Sequence, residues 1–205
     1  MANSSDEPRS GAVLPSLADT PRAGTPERQI ALQNSAWEML ETFVPAEGIT
    51  GTRLSNQWLG RHGWRVQIVP QWVLGRYHDW VVPLVAHGKR NPADVLLGTV
   101  VETGALRVSA VWQPPFDPDH VRRFFEAHYC VYHILFPESR AFAVHADDNN
   151  LAVYAGPEDF LREVLPPEAI GAAATAEVVE EIEEEHGEGA IDGILAHYAP
   201  FMLDR

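Results

Sequence analysis

Between Trp64 and Ala155 the chain breaks into apolar runs of five to eight residues, most of them closed by Pro, Gly, Asp or Asn. Runs of that length between turn signals suit short strands joined by tight connections. Trp64–Val69 alternates and stops at Pro70. Asp79–Ala86 is apolar on both faces, with Pro83 pointing to an edge position or a bulge. Val95–Glu102 and Ala105–Trp112 flank Thr103-Gly104, a two-residue turn. These four stretches predict an antiparallel meander. Arg140–His145 and Leu151–Ala155 bracket Ala146-Asp147-Asp148-Asn149-Asn150, which predicts a further hairpin. The stretch Gly48–Gly63 carries no usable period.

Helices frame these runs. Thr25-Pro26 places a hydroxyl cap before a proline at the first turn and predicts a helix over 26–44. Ile30, Trp37, Leu40 and Val44 recur along it at helical spacing, widened by Leu32, Ala36 and Phe43. Asp117-Pro118-Asp119 repeats the capping logic and opens a helix expected over about 118–135. Val121, Phe124, Phe125, His128, Tyr132 and Leu135 line one face, and Ala127, Cys130, Val131 and Ile134 extend it until little polar surface remains. A strand over Tyr129–Phe136 is the alternative. Gly156-Pro157-Glu158-Asp159 opens a short helix ended by Pro166-Pro167. Thr175 caps another, bearing Val178, Val179 and Ile182, and Ile191, Ile194, Leu195 and Tyr198 mark a last one before Pro200. The expected class is α+β: N-terminal helix, antiparallel sheet, long central helix, β-hairpin and C-terminal helices.

Residues 1–26 hold four prolines and no aromatic residue, so they bury too little surface to offset their ordering entropy. They are expected to form a disordered arm, with 27–205 a single domain. Cys130 is the only cysteine, which rules out an internal disulfide and suits a reducing compartment. No run approaches the ~18 apolar residues that cross a bilayer. Residues Met1–Ser10 are polar and acidic and lack the apolar core of a secretion signal. The cytoplasm is the expected location.

Of the net charge of -14, residues 156–205 carry -11, with thirteen acidic side chains against Arg162 and Arg205. Such a surface repels phosphate, which disfavours direct nucleic-acid binding. The acids of Glu180–Glu185 fit a solvated helix face or a docking surface for a basic partner.

Sites with a defined chemistry are sparse. On a helix, Glu126, Cys130 and His133 share a face, but a structural zinc site needs four ligands and no second half follows. His78-Asp79 offers a base and an orienting carboxylate without a nucleophile. Gly48-Ile49-Thr50-Gly51 lacks the remaining residues of a phosphate loop, and Asp147-Asp148-Asn149-Asn150 lacks the spacing of a calcium loop. Trp72, Tyr77 and Trp80 have no supporting bases for nucleic-acid stacking. No catalytic residue, metal or cofactor is expected, and the chain reads as a protein-binding module, not an enzyme; an immunity-type inhibitor of a basic toxin and a small hydrolase-type enzyme are the alternatives. The over-apolar helix at 118–135 predicts a two-fold homodimer through Cys130, Val131 and Ile134.

The order of elements resembles the YbjN-like proteins and, through them, the type III secretion chaperones. The likeness is closest from Phe124 to Ala155. There an expected long helix ends at Phe136-Pro137-Glu138-Ser139-Arg140-Ala141-Phe142-Ala143 and a hairpin with an acidic turn follows. Thr175-Ala176-Glu177 opens a later amphipathic helix that also fits. Tyr132-His133 occupies the region where that family carries an Asn, and the C-terminal helices here are more numerous and more acidic. The resemblance implies a non-enzymatic, acidic homodimer that presents a surface to an extended segment of another protein.

Overall fold

The computed structural model describes residues 20–43, 51–70, 82–102, 107–127, 132–146 and 151–204. Its first half runs α1 (Pro26–Glu38), β1 (Leu40–Phe43), β2 (Gly51–Leu54), α2 (Asn56–His62), β3 (Arg65–Pro70), α3 (Val82–Arg90), β4 (Leu96–Glu102) and β5 (Arg107–Trp112). Then follow α4 (Pro118–Ala127), β6 (His133–Pro137), β7 (Ala143–Ala146), β8 (Leu151–Gly156), α5 (Glu158–Val164), α6 (Ala172–His186) and α7 (Asp192–Tyr198). The class is α+β with antiparallel sheets. Among the described residues, no helix is long and apolar enough to cross a membrane.

Six strands form the main sheet in the order β3-β8-β7-β6-β4-β5, every pair antiparallel, while β1 and β2 pair separately. Alternate side chains feed two cores. Val66, Ile68, Leu97, Ile134, Phe136 and Val153 point to the side that packs α1, α2, α6 and α7. Val69, Leu96, Leu135, Val144 and Tyr154 point to the side that packs α4 and α5. Gly98 lets α4 approach, because a Cβ there would lie 2.6 Å from the Phe124 ring. The central strands β6, β7 and β8 are buried along their whole length.

That two-sided burial explains the main departure from the sequence expectation. The helix expected over 118–135 ends at Ala127, and His133–Pro137 is strand β6. A strand covered on both faces has no polar alternation, so its apolar run extends a helical pattern just as well. The expected dimer interface changes with it. Ile134 is fully buried in the chain's own core, and Cys130 and Val131 lie outside the described residues.

Other boundaries move for local reasons. The first helix stops at Met39, not Val44, because Leu40–Phe43 leaves to pair with Gly51–Leu54. The unpatterned stretch contains β2 and α2, the latter capped by Ser55 and closed by Gly63 at φ 63°. Val82–Arg90 is helical where a strand over Asp79–Ala86 was expected, and Pro83 sits in its first turn, a position helices tolerate. Thr175 lies inside α6, whose cap is Gly171; its hydroxyl donates to the Gly171 carbonyl and accepts from the Gln67 amide. Residues 21–23, assigned to the arm, lie along β5, with Arg22 opposite Trp112 and Ala23 fully buried. The β3, β4–β5, β7–β8, α5 and α7 expectations agree with the structure in type and sequence position, but the expected four-strand meander does not form: β3 pairs with β8 at the opposite edge of the sheet from β4 and β5, a placement set by long-range pairing.

Candidate functional site

Helix α1 lies over β5, the last strand of the sheet, and its polar side chains do what a neighbouring strand would do. The Gln29 amide oxygen accepts from Val111 N at 2.8 Å, and its nitrogen donates to Val111 O at 2.8 Å and to Ala23 O at 2.6 Å. One side chain thereby replaces a peptide group. Four residues on, the Gln33 nitrogen donates to Ser109 O at 2.9 Å and, at 3.4 Å, to Val108 O. Ion pairs pin the helix ends, Arg28 to Glu138 at 2.6 Å and Glu38 to Arg140 at 2.7 Å. Arg140 adopts φ 56° at the β6–β7 turn, and its guanidinium lies 5.1 Å from the centre of the Trp58 ring.

This docking uses only part of the helix face expected from the sequence. Leu32 and Ala36 are the buried positions, while Ile30 is 62% exposed and Trp37 is half-buried. Ile30, Asn34 and Trp37 follow one another at i, i+4 and i+7, so they share a stripe. Beside that stripe an open cleft of about 500 Å³ is lined by Gln33, Asn34, Trp37, Glu102, Arg107 and the β5 segment 108–110. Glu102 and Arg107 pair with each other at 2.6 Å at its edge. The β4–β5 register shifts between Thr99 and Val101, which places a bulge at the cleft. The Thr99 hydroxyl reaches Ala110 O there at 3.1 Å.

A second cluster was not legible in the sequence, because its members come from α3, the loop before β4 and the turn after β6. Buried His87 meets Asp94 at 2.7 Å from Nε2. Asp94 also accepts from Val95 N, from Ser139 N and from the Ser139 hydroxyl at 2.5 Å. Burial on its own would raise the Asp94 carboxyl, but the bonds from Ser139, His87 and Val95 hold it below the ordinary range. Phe116, Phe142 and Phe160 surround the His87 ring. Here the carboxylate, not the imidazole, stands between histidine and serine. The hydroxyl donates to Asp94, so the trio ties together α3, the loop before β4 and the turn after β6.

The other buried histidines are also held within the fold. His145 faces the Thr52 hydroxyl at 3.3 Å, and its pKa is pushed down to about 3 by burial and, next, by the neighbouring His133. His197 lies 2.8 Å from the Leu54 carbonyl through Nε2, and burial lowers its pKa as well. His133 is on strand β6, so the helical face proposed for Glu126, Cys130 and His133 does not exist. Among the described residues no three His, Cys, Asp or Glu side chains converge as a metal set. His78, Asp79, Trp72, Tyr77, Trp80 and the tip Asp147–Asn150 lie outside the described residues. No protein-family model, curated protein or solved structure matches the chain.

Proposed function

We propose that this chain is a non-enzymatic protein-binding module of the cytoplasm, which takes a segment of another protein at the cleft between α1 and β5. The observation that carries the reading is an open cleft walled by half-buried Trp37, with exposed Ile30 on the same stripe of the helix. A partly exposed Trp beside an apolar neighbour has the make-up of an interface anchor. The histidines of the described fold support a non-catalytic role, since His87, His145 and His197 each make bonds that hold segments together.

The resemblance to the YbjN-like proteins and type III secretion chaperones points the same way. It rests on a shared order of helix, strands, helix, hairpin and helices, although the central helix is only ten residues long. Self-association as a homodimer belongs to the same proposal, but Ile134 gives it no seat. Light scattering that shows a monomer across micromolar concentrations removes the dimer and leaves the module.

A second reading, an inhibitor of a basic toxin, draws on the exposed acids Glu177, Glu180, Glu184 and Glu185 of α6. The two readings place the partner at opposite ends of the sheet, because α6 packs on β3 and α1 on β5. Affinity capture from the native cell therefore separates them. Ile30→Asp is expected to abolish recovery of the partner at unchanged thermal stability, whereas Glu180→Lys with Glu184→Lys should leave it intact. The reverse result establishes the acidic face instead.

A further inference from the structure

Two departures from ordinary protein geometry meet where α2 packs under the β6–β7 turn. The first is in the backbone. Among the described residues Arg140 alone, glycines apart, adopts a left-handed φ, 56°. A residue with a Cβ stays there only when its surroundings hold it, and such positions gather at ligand sites. The second is an unpaired donor. Trp58 is 5% exposed, yet its indole Nε1–H is buried with no acceptor among the described residues. Nearly every buried N–H in a folded protein is paired, because leaving one unmade forfeits its hydration.

The two features touch. The Arg140 guanidinium lies over the Trp58 ring, so a group that reaches Nε1 in the indole plane is also a neighbour of the guanidinium. Glu38 takes only Nη1 of Arg140, at 2.7 Å, which leaves the Nε–Nη2 edge without an acceptor among the described residues. The Arg140 side chain is half-exposed, so that edge is within reach of solvent. His62, exposed, stacks on the Trp58 ring with centres 4.0 Å apart, and exposed Arg61 precedes it in the last turn of α2.

We infer that this corner binds a small oxyanion, a carboxylate or phosphoryl group, which accepts from Trp58 Nε1–H and from the Nε–Nη2 edge of Arg140. The guanidinium edge offers two parallel N–H groups that match two oxygens of one anion, and the indole adds a third donor of fixed direction. A cation has no such seat, since Glu138 and Glu38 are each bound to an arginine already. Arg140 and His62, the exposed covers of the indole, shift to admit the anion. The site stands apart from the cleft, so its failure leaves the protein-binding reading untouched.

The test uses the full chain, labelled with nitrogen-15, and titrates sodium phosphate and sodium acetate separately at constant ionic strength. At least one anion should move the Trp58 Nε1–H and Arg140 Nε–H resonances together, to saturation, and the tighter of the two identifies the group. Trp58→Phe keeps a ring but removes the donor, and should weaken binding about tenfold as read at Arg140 Nε–H. Because it deletes a donor that has no partner, it should not lower the thermal midpoint of the free chain. Arg140→Lys keeps the charge and loses the fork; it should weaken binding similarly as read at Trp58 Nε1–H, which keeps the test open if Trp58→Phe does not fold. Resonances that stay still with both anions, or shifts that never saturate, overturn the inference. So does a crystal grown with the tighter anion in which water is the sole acceptor at Nε1.

Discussion

The two edges of the main sheet are protected by different means. At β3, the C-terminal tail supplies a backbone: Leu203 N donates to Val66 O at 2.8 Å, Met202 bridges Val66, and Leu203 is buried. Arg162 secures the tail by donating to Asp204 O at 2.6 Å. At β5, residues 21–23 supply backbone cover and, among the described residues, the glutamines of α1 continue it. Exposed sheet edges recruit other chains, so both need covering. A covering backbone leaves only if the chain peels away, whereas a glutamine leaves by rotating about its own side-chain bonds. The difference marks β5 as the edge that can open without unfolding.

Acid tests whether the two edges share one cooperative core. The folded-state pKa of His145 lies at about 3, below its ordinary 6.5, so the unfolded chain binds more protons between those values. Stability should therefore be complete above pH 6.5 and fall as the pH drops through that window, by on the order of 4 kcal/mol at about 1.4 per unit. His145 sits on β7, between the edges, so hydrogen exchange at Val111 and Leu203 should accelerate together. If one edge releases its amides well before the other, the comparison must be drawn between separate folding units.

Leu203→Ala should cost about 3 kcal/mol, as large-to-small changes in packed cores do, and should loosen β3 selectively. Chemical denaturation gives the magnitude, and exchange at the β3 amides gives the place. Gln29→Ala leaves Val111 N–H without its side-chain acceptor and should cost about 1–2 kcal/mol. Gln29→Glu sharpens the point: it keeps the acceptor but sets a carboxylate against Val111 O and Ala23 O. It should therefore be less stable than Gln29→Ala at neutral pH, and recover as the carboxylate is protonated. Gln33→Ala is expected to cost least, about 0.5 kcal/mol, because its two acceptors border an open cleft that water can enter. A loss at Gln33 as large as that at Gln29 would show that the cap is structural and the edge is closed.

Local chemistry carried much of the fold into the sequence. Thr25 and Asp117 cap the helices expected of them, as their hydroxyl and carboxylate can reach only the next turn's N–H groups. The β4–β5 and β7–β8 hairpins were legible because turn residues and flanking alternation act over a few positions. The candidate site was legible only in part. Gln29 and Gln33 look like ordinary solvent-facing glutamines, and their partners lie 82 and 76 residues away. Ile30 and Trp37 read as core because the helical period shows that a stripe exists but not which stripe docks.

The sequence by itself determined the class, the caps at Thr25 and Asp117, the two hairpins and the charge carried by the C-terminal quarter. Tertiary structure decided the rest. It made the apolar run at His133–Pro137 a strand, because both faces of the sheet are covered there and the run needs no alternation. It brought His87, Asp94 and Ser139 together. It also left one edge strand covered by a short backbone segment together with glutamine side chains, while the other is covered by the backbone of the C-terminal tail. Each of these outcomes depends on which surfaces meet across long loops, and burial free energy responds to that meeting, whatever the local order of residues.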